Sequence, residues 1–173
     1  MGNNFSNTVI SNVGNMKNMG VEFNLNFIPI EKQDMRWTIN VNGTYQKTEI
    51  TKLTNDDSTY LGVQTGANMG GTGGYTSLHR VGYAPYTYYL YQQAYDENGK
   101  AIQNVLVDRD GDGSITEADR YVTGKSITPK FFFGLSSQFT YKKWDFGFNA
   151  HGSFGGYALN RIAMNNSSAF SDD

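Results

Sequence analysis

The chain has 173 residues, 14 Lys plus Arg against 16 Asp plus Glu, and no cysteine. A net charge of -2 gives no electrostatic reason to expect nucleic acid as a partner, and the absence of cysteine excludes disulfides and thiolate metal sites. Charged residues make up 17% of the chain against about a quarter in ordinary soluble domains, while aromatics reach 14%. The chain therefore reads as one that shows much of its surface to something other than water. It has no run of about 18 apolar residues, so a spanning helix is excluded. A mean hydropathy of -0.52 leaves membrane strands open, because only every second residue of such a strand need be apolar.

Residues 2–17 are rich in Asn, Ser and Gly and read as loop or the remains of a strand, with no secretory signal in view. Strict alternation begins at Gly20: Val21, Phe23, Leu25 and Phe27 take one face, and Glu22, Asn24 and Asn26 the other. Pro29 and the polar run Glu31 to Asp34 are expected to end this strand. From Arg36 to about Lys47 the alternation places Trp37, Ile39, Val41, Gly43 and Tyr45 opposite Thr38, Asn40, Asn42, Thr44 and Gln46. Asn42-Gly43 is a hairpin-turn dipeptide, but the phase does not slip across it, so one continuous strand is expected.

Asn55 to Gly74 has loop chemistry, and its glycines lack the lysine and the strand-to-helix context of a phosphate-binding loop. Thr76–Val81 and Tyr86–Tyr95 are two further candidate strands around a turn at Gly82 to Pro85. The tyrosines at 83, 86, 88, 89, 91 and 95 have the density of an interfacial aromatic girdle, or of a carbohydrate-stacking surface. Asp96 to Lys100 reads as a turn and Ala101–Val107 as a short extended piece.

Asp108 to Asp119 then fits the spacing of an EF-hand-type loop, with Asp108, Asp110 and Asp112 at the first, third and fifth positions and Ser114 at the seventh. Gly113 stands at the sixth and Ile115 at the eighth. Carboxylates crowded this closely repel one another unless a cation neutralises them, so Ca²⁺ is the candidate ion and Asp108, Asp110, Asp112, Ser114 and Asp119 its candidate ligands. Asp119 replaces the usual glutamate at the twelfth position, and its shorter arm makes two-oxygen closure harder. The alternative is an Asp/Gly turn capped by its own side chains with no ion. His79 and His151, the only histidines, have no metal-ligand partner at a suitable spacing, and no nucleophile–base arrangement stands out, so an enzyme is not expected.

The run from Lys130 to Gly155 is the clearest element. Phe133, Leu135, Ser137, Phe139 and Tyr141 share one face; after Lys142-Lys143, Trp144, Phe146, Phe148, Ala150, Gly152 and Phe154 share another, which predicts a hairpin of two antiparallel strands. In a soluble sandwich the aromatic face is buried; in an outer-membrane barrel it meets lipid, and Gly, Asn, Gln and His meet a wet lumen.

Three blocks together resemble the C-terminal part of the SusC/RagA family of TonB-dependent outer-membrane transporters: Asn12 to Glu22 with the two strands that follow; Val81 to Pro85 leading into the tyrosine-rich stretch; and Asp108 through Asp119-Arg120, Gly124 and Pro129-Lys130-Phe131 into the Trp144-Asp145-Phe146 strand. The resemblance implies an all-β fold in which about six antiparallel strands form part of a transmembrane β-barrel in the bacterial outer membrane. It further implies contact with membrane lipid, a SusD-like surface lipoprotein as partner, and oligosaccharide or peptide as cargo. Drive would come from TonB acting through an N-terminal part, and that part, the plug domain and the signal peptide are expected to lie outside this chain. If the Lys142-Lys143 turn is periplasmic, counting strands backward makes Pro85 and the Glu31–Asp34 segment periplasmic and the Asp108–Asp119 loop extracellular. The competing expectation is a soluble cell-surface β-sandwich, an adhesin or glycan-binding module with a calcium-braced loop; a hydrolase accessory domain comes third.

Overall fold

The computed structural model describes residues 14–53, 60–68 and 74–160. Among these, every regular element is a strand except one short 3-10 turn, Glu117–Asp119. Four long strands form the first sheet: β1 (Asn15–Lys32), β2 (Met35–Lys52), β9 (Phe131–Tyr141) and β10 (Trp144–Phe154), in the order β1-β2-β9-β10 and antiparallel throughout. Between β2 and β9 the chain builds a second sheet from β3 (Val63–Asn68), β4 (Tyr75–His79), β5 (Thr87–Leu90) and β8 (Tyr121–Ser126). A separate hairpin joins β6 (Gln93–Tyr95) and β7 (Ala101–Leu106).

In the first sheet the alternation of each strand is carried across all four. Phe27, Ile39, Ser137 and Phe148 form one row, Leu25, Val41, Leu135 and Ala150 the next, and all share the apolar face. The opposite face carries Asn26, Asn40, Ser136 and Asn149 in one row and Asn24, Asn42, Gly134 and His151 in another. Within it the Asn40 side-chain amide donates to Asn24 Oδ1 at 3.0 Å. Phe132 is the exception, an aromatic on the polar face between Thr44 and Ser153.

Two close approaches hold the apolar face together. The Phe23 ring lies over Gly43, where a Cβ would meet ring carbons at 2.5 and 2.6 Å, and the Phe133 ring covers Gly152 in the same way. Glycine here lets a cross-strand ring lie flat on the neighbouring backbone.

Several sequence expectations are corrected. Pro29 does not end the first strand: β1 continues to Lys32 through an irregularity between Phe27 and Ile30, a break in the regular pairing of the kind that admits a proline within a strand. Asn42-Gly43 is strand interior, as the unbroken phase predicts. Thr76–Val81 and Tyr86–Tyr95 do not join the barrel-type sheet. They contribute β4, β5 and β6 to the smaller sheets, so the barrel-type sheet has four strands among the described residues. The tyrosine run accordingly lies outside the four long strands, with Tyr86 and Tyr95 exposed. Tyr88 and Tyr89 are buried with Leu78, Thr87 and Ser126, because the described chain has its core in this second sheet, with Ile50 of β2 against it. β3 and β8 are strands that sequence periodicity did not reveal.

The second sheet is fastened to one end of the long strands. Ile50 N–H donates to Tyr83 C=O and Gly82 N–H to Ile50 C=O, both at 2.9 Å. Gln46 N–H donates to Lys130 C=O at 2.8 Å, and Tyr157 N–H to Ser126 C=O at 2.9 Å. The opposite end carries the two tight turns, drawn together by Lys142 N–H donating to Asp34 C=O at 2.7 Å. The Pro85 turn therefore sits at the end opposite Lys142-Lys143, not beside it. Counting strands backward misplaced it because β2 pairs directly with β9, and the intervening strands do not cross the sheet.

Candidate functional site

The first sheet presents two surfaces of opposite chemistry, and nothing in the described chain covers the apolar one. Val21 is 69% exposed, Trp144 65% and Phe146 59%. A sandwich would bury these rings against a second layer, whereas a barrel wall leaves them for lipid. Dimensions agree with the second case. Eleven residues from Phe131 to Tyr141, rising about 3.3 Å each and tilted by about 40°, span about 25 Å of membrane, the height of the apolar band of such barrels. The amphipathic aromatics stand at the limits of the band, Tyr141 and Trp144 at one and Tyr45 at the other, with phenylalanines along its whole height.

The second feature is the acidic loop between β7 and β8. Asp108, Asp110 and Asp112 come together, each offering an oxygen within 4.8 Å of the others. Their remaining lone pairs organise the loop: Gly111 N–H donates to Asp108 Oδ1 at 2.6 Å, Gly113 N–H to Asp108 Oδ2 at 2.8 Å and Ser114 N–H to Asp112 Oδ1 at 2.8 Å. Gly111 and Gly113 have φ of +77° and +84°, the left-handed conformation that this winding needs. A hydrogen bond from the Asp112 amide holds the Asp110 carboxyl down, but partial desolvation and the charges of Asp112, Asp119 and Asp108 outweigh it and raise the pKa. A trio of hard carboxylate oxygens in which one is pushed toward protonation by its neighbours is a donor set that fits Ca²⁺.

Asp119, at the twelfth position, stands outside that trio. It is fully buried, accepting Thr116 N–H at 2.7 Å and Arg109 N–H at 2.6 Å. With Thr116 Oγ1 accepting Ala118 N–H at 3.2 Å, this is a capping box on the short 3-10 turn. Those amide bonds lower the Asp119 pKa, Thr116 contributing most and Arg109 next. Ser114 is tied to the loop through its backbone, by the bond to Asp112.

Sequence reasoning missed Arg120. The residue is 4% exposed, and its side chain lies over the Tyr89 ring at 4.1 Å and donates through Nη2 to the carbonyls of Tyr75 and Tyr89, the latter at 2.8 Å. The guanidinium thereby pins the end of the acidic loop into the second sheet. No spacing rule announces such a residue, since its partners are backbone oxygens on other strands.

A two-faced antiparallel sheet whose apolar surface matches a bilayer defines the wall of a transmembrane β-barrel. Comparison with known proteins makes this specific. The chain is 37% identical over 179 residues to "TonB-dependent receptor SusC" of Bacteroides thetaiotaomicron, with 100% of the chain aligned to 18% of that protein. It is 29% identical to "TonB-dependent receptor P3" of Formosa agariphila over 87% of the chain and 16% of that protein. The "RagAB peptide transporter" structure superposes with a TM-score of 0.62 at 22% identity over 83% of the chain, and the RagAB importer in its "open-open" state with 0.60. A scan against protein-family models finds no match. The chain is a SusC/RagA-type segment of a TonB-dependent receptor and belongs to the outer membrane. It spans less than a fifth of the length of the curated relatives it matches.

Proposed function

We propose that this segment forms part of the barrel wall, and of the structure above it, in a TonB-dependent importer of oligosaccharides or peptides. The observation that carries this is the four-stranded sheet with an uncovered apolar face and an amide-lined opposite face. The inner surface carries Glu22, Asn24, Asn26, Asn40, Asn42, Gln138 and Asn149, mostly amides that both donate and accept, and so suits polar material in a wet lumen. The short turns at Gln33-Asp34 and Lys142-Lys143 are assigned to the periplasm, which puts the second sheet and the acidic loop outside the cell, where a SusD-like lipoprotein would sit. TonB would act through an N-terminal part of the receptor beyond this segment, and the protein's work is transport, not catalysis. In the acidic loop, Ca²⁺ held by Asp108, Asp110 and Asp112 would brace the extracellular structure. The adhesin or glycan-module reading is disfavoured because no second layer among the described residues meets the apolar face.

The test is growth and uptake in a strain lacking the intact receptor, supplied in turn with oligosaccharides and oligopeptides. Uptake of one class, restored by the receptor and dependent on TonB, is expected. Recovery of the protein in the soluble fraction without detergent would overturn the reading.

A further inference from the structure

One corner of the apolar face combines a notch with a cluster of cations. The row at the short-turn end is Lys32, Met35, Tyr141 and Trp144; the next is Ile30, Trp37, Phe139 and Phe146; the third contains Ser137 beside Phe148. Because Ser137 is the small member of its row, a groove opens there, lined by Ile30, Trp37, Ser137, Phe139, Phe146 and Phe148. Trp37 Nε1 donates to Ser137 Oγ at 2.9 Å, so the two polar atoms in the groove satisfy each other and its floor is effectively apolar. Immediately beyond the first row stand Lys142 and Lys143, with Lys32 on the same outward face. None of the three forms an ion pair among the described residues. Lys142 Nζ lies 5.4 Å from the Tyr141 ring centroid. The acidic groups nearby are engaged elsewhere or few: Glu31 pairs with Arg36 at 3.8 Å and Asp145 accepts from Thr140 Oγ1 at 2.7 Å, both on the polar face, leaving Asp34 in the facing turn.

We propose that this corner binds one glycerophospholipid, its phosphate between Lys32, Lys142 and Lys143 and one acyl chain in the groove. The groove lies on the hydrocarbon side of the wall, so its occupant is a lipid chain. The distances fit: five residues separate Lys142 from Ser137, about 17 Å along the strand and about 12 Å in depth after tilt, the reach of an acyl chain below its headgroup. Basic side chains flanking an aromatic belt are the chemistry that recognises an anionic headgroup at a membrane boundary. The site rests on assigning the short turns to the periplasmic, phospholipid leaflet.

The experiment is native mass spectrometry of the intact receptor with phosphatidylglycerol, diacylglycerol of the same chains, and rough lipopolysaccharide as probes. The unmodified protein should retain phosphatidylglycerol at least about five-fold over diacylglycerol. A Lys32→Gln/Lys142→Gln/Lys143→Gln variant should abolish that preference, and Phe146→Ala should lower retention of both lipids about three-fold, with lipopolysaccharide unaffected. Heat-modifiable migration on gels confirms that each variant is folded, and the diacylglycerol comparison on the unmodified protein stands even if one is not. No preference for phosphatidylglycerol in the unmodified protein overturns the site alone. Loss of lipopolysaccharide in place of phospholipid from the lysine variant overturns the periplasmic assignment of the turns as well.

Discussion

Trp37 and Ser137 are joined by a 2.9 Å hydrogen bond on the lipid-facing side of the sheet, although neither is the other's register partner. Trp37 stands opposite Phe139 and Ser137 opposite Ile39, so the bond runs diagonally between β2 and β9. A serine in an otherwise apolar and aromatic stripe is thus explained: it accepts the Trp37 indole proton, which hydrocarbon cannot satisfy. Ser137→Ala is expected to destabilise the folded receptor by about 1 kcal/mol, with Ser137→Thr close to neutral. Reversible urea unfolding in lipid vesicles measures both, and equal stability of the alanine and serine proteins would refute the account.

The ring of Phe23 over Gly43 makes a second prediction. Gly43→Ala would push the ring off its neighbour's backbone, costing about 1 kcal/mol. In a Phe23→Ala background the same substitution should cost much less, so a double-mutant cycle should show coupling. Additive effects would mean that the ring and the glycine do not depend on each other.

Acid should loosen the loop through Asp119. Its folded pKa lies below the ordinary 3.8, so the stability it contributes is fully present above about pH 4 and is lost as pH falls through the lowered value. Hydrogen-exchange protection of the Thr116 and Arg109 amides should follow that course. Asp119→Ala should abolish the protection at neutral pH.

Calcium should act on the same loop from the other side. Added Ca²⁺ is expected to slow proteolysis between β7 and β8, and chelation to restore it, with Asp108→Ala or Asp110→Ala insensitive to either. Cleavage rates indifferent to chelation would leave the loop as a turn held by its own hydrogen bonds.

Arg120→Lys should unsettle the second sheet while sparing the barrel strands. An ammonium cannot both lie flat on Tyr89 and reach the Tyr75 and Tyr89 carbonyls, and a loss of about 3 kcal/mol is expected. Exchange protection should fall in β4 and β5 but not in β9 and β10.

The alternation from Val21 to Phe27, Trp37 to Tyr45 and Phe133 to Phe154 already determined that these are strands with one oily and one wet face, because successive side chains leave a strand on opposite sides whatever their neighbours are. The spacing Asp108, Asp110, Asp112 likewise announced a crowded carboxylate loop. What the periodicity of single strands does not contain is which strands are neighbours. Closing a long loop costs little more than closing a short one, so the pairing of β2 with β9 is selected by cross-strand side chains and not by proximity along the chain. Only the tertiary structure therefore showed that Tyr88 and Tyr89 are buried in a second sheet and that Pro85 lies at the far end from Lys142. It also showed that Asp119 is spent on backbone amides, for each of these depends on groups brought together from distant parts of the sequence.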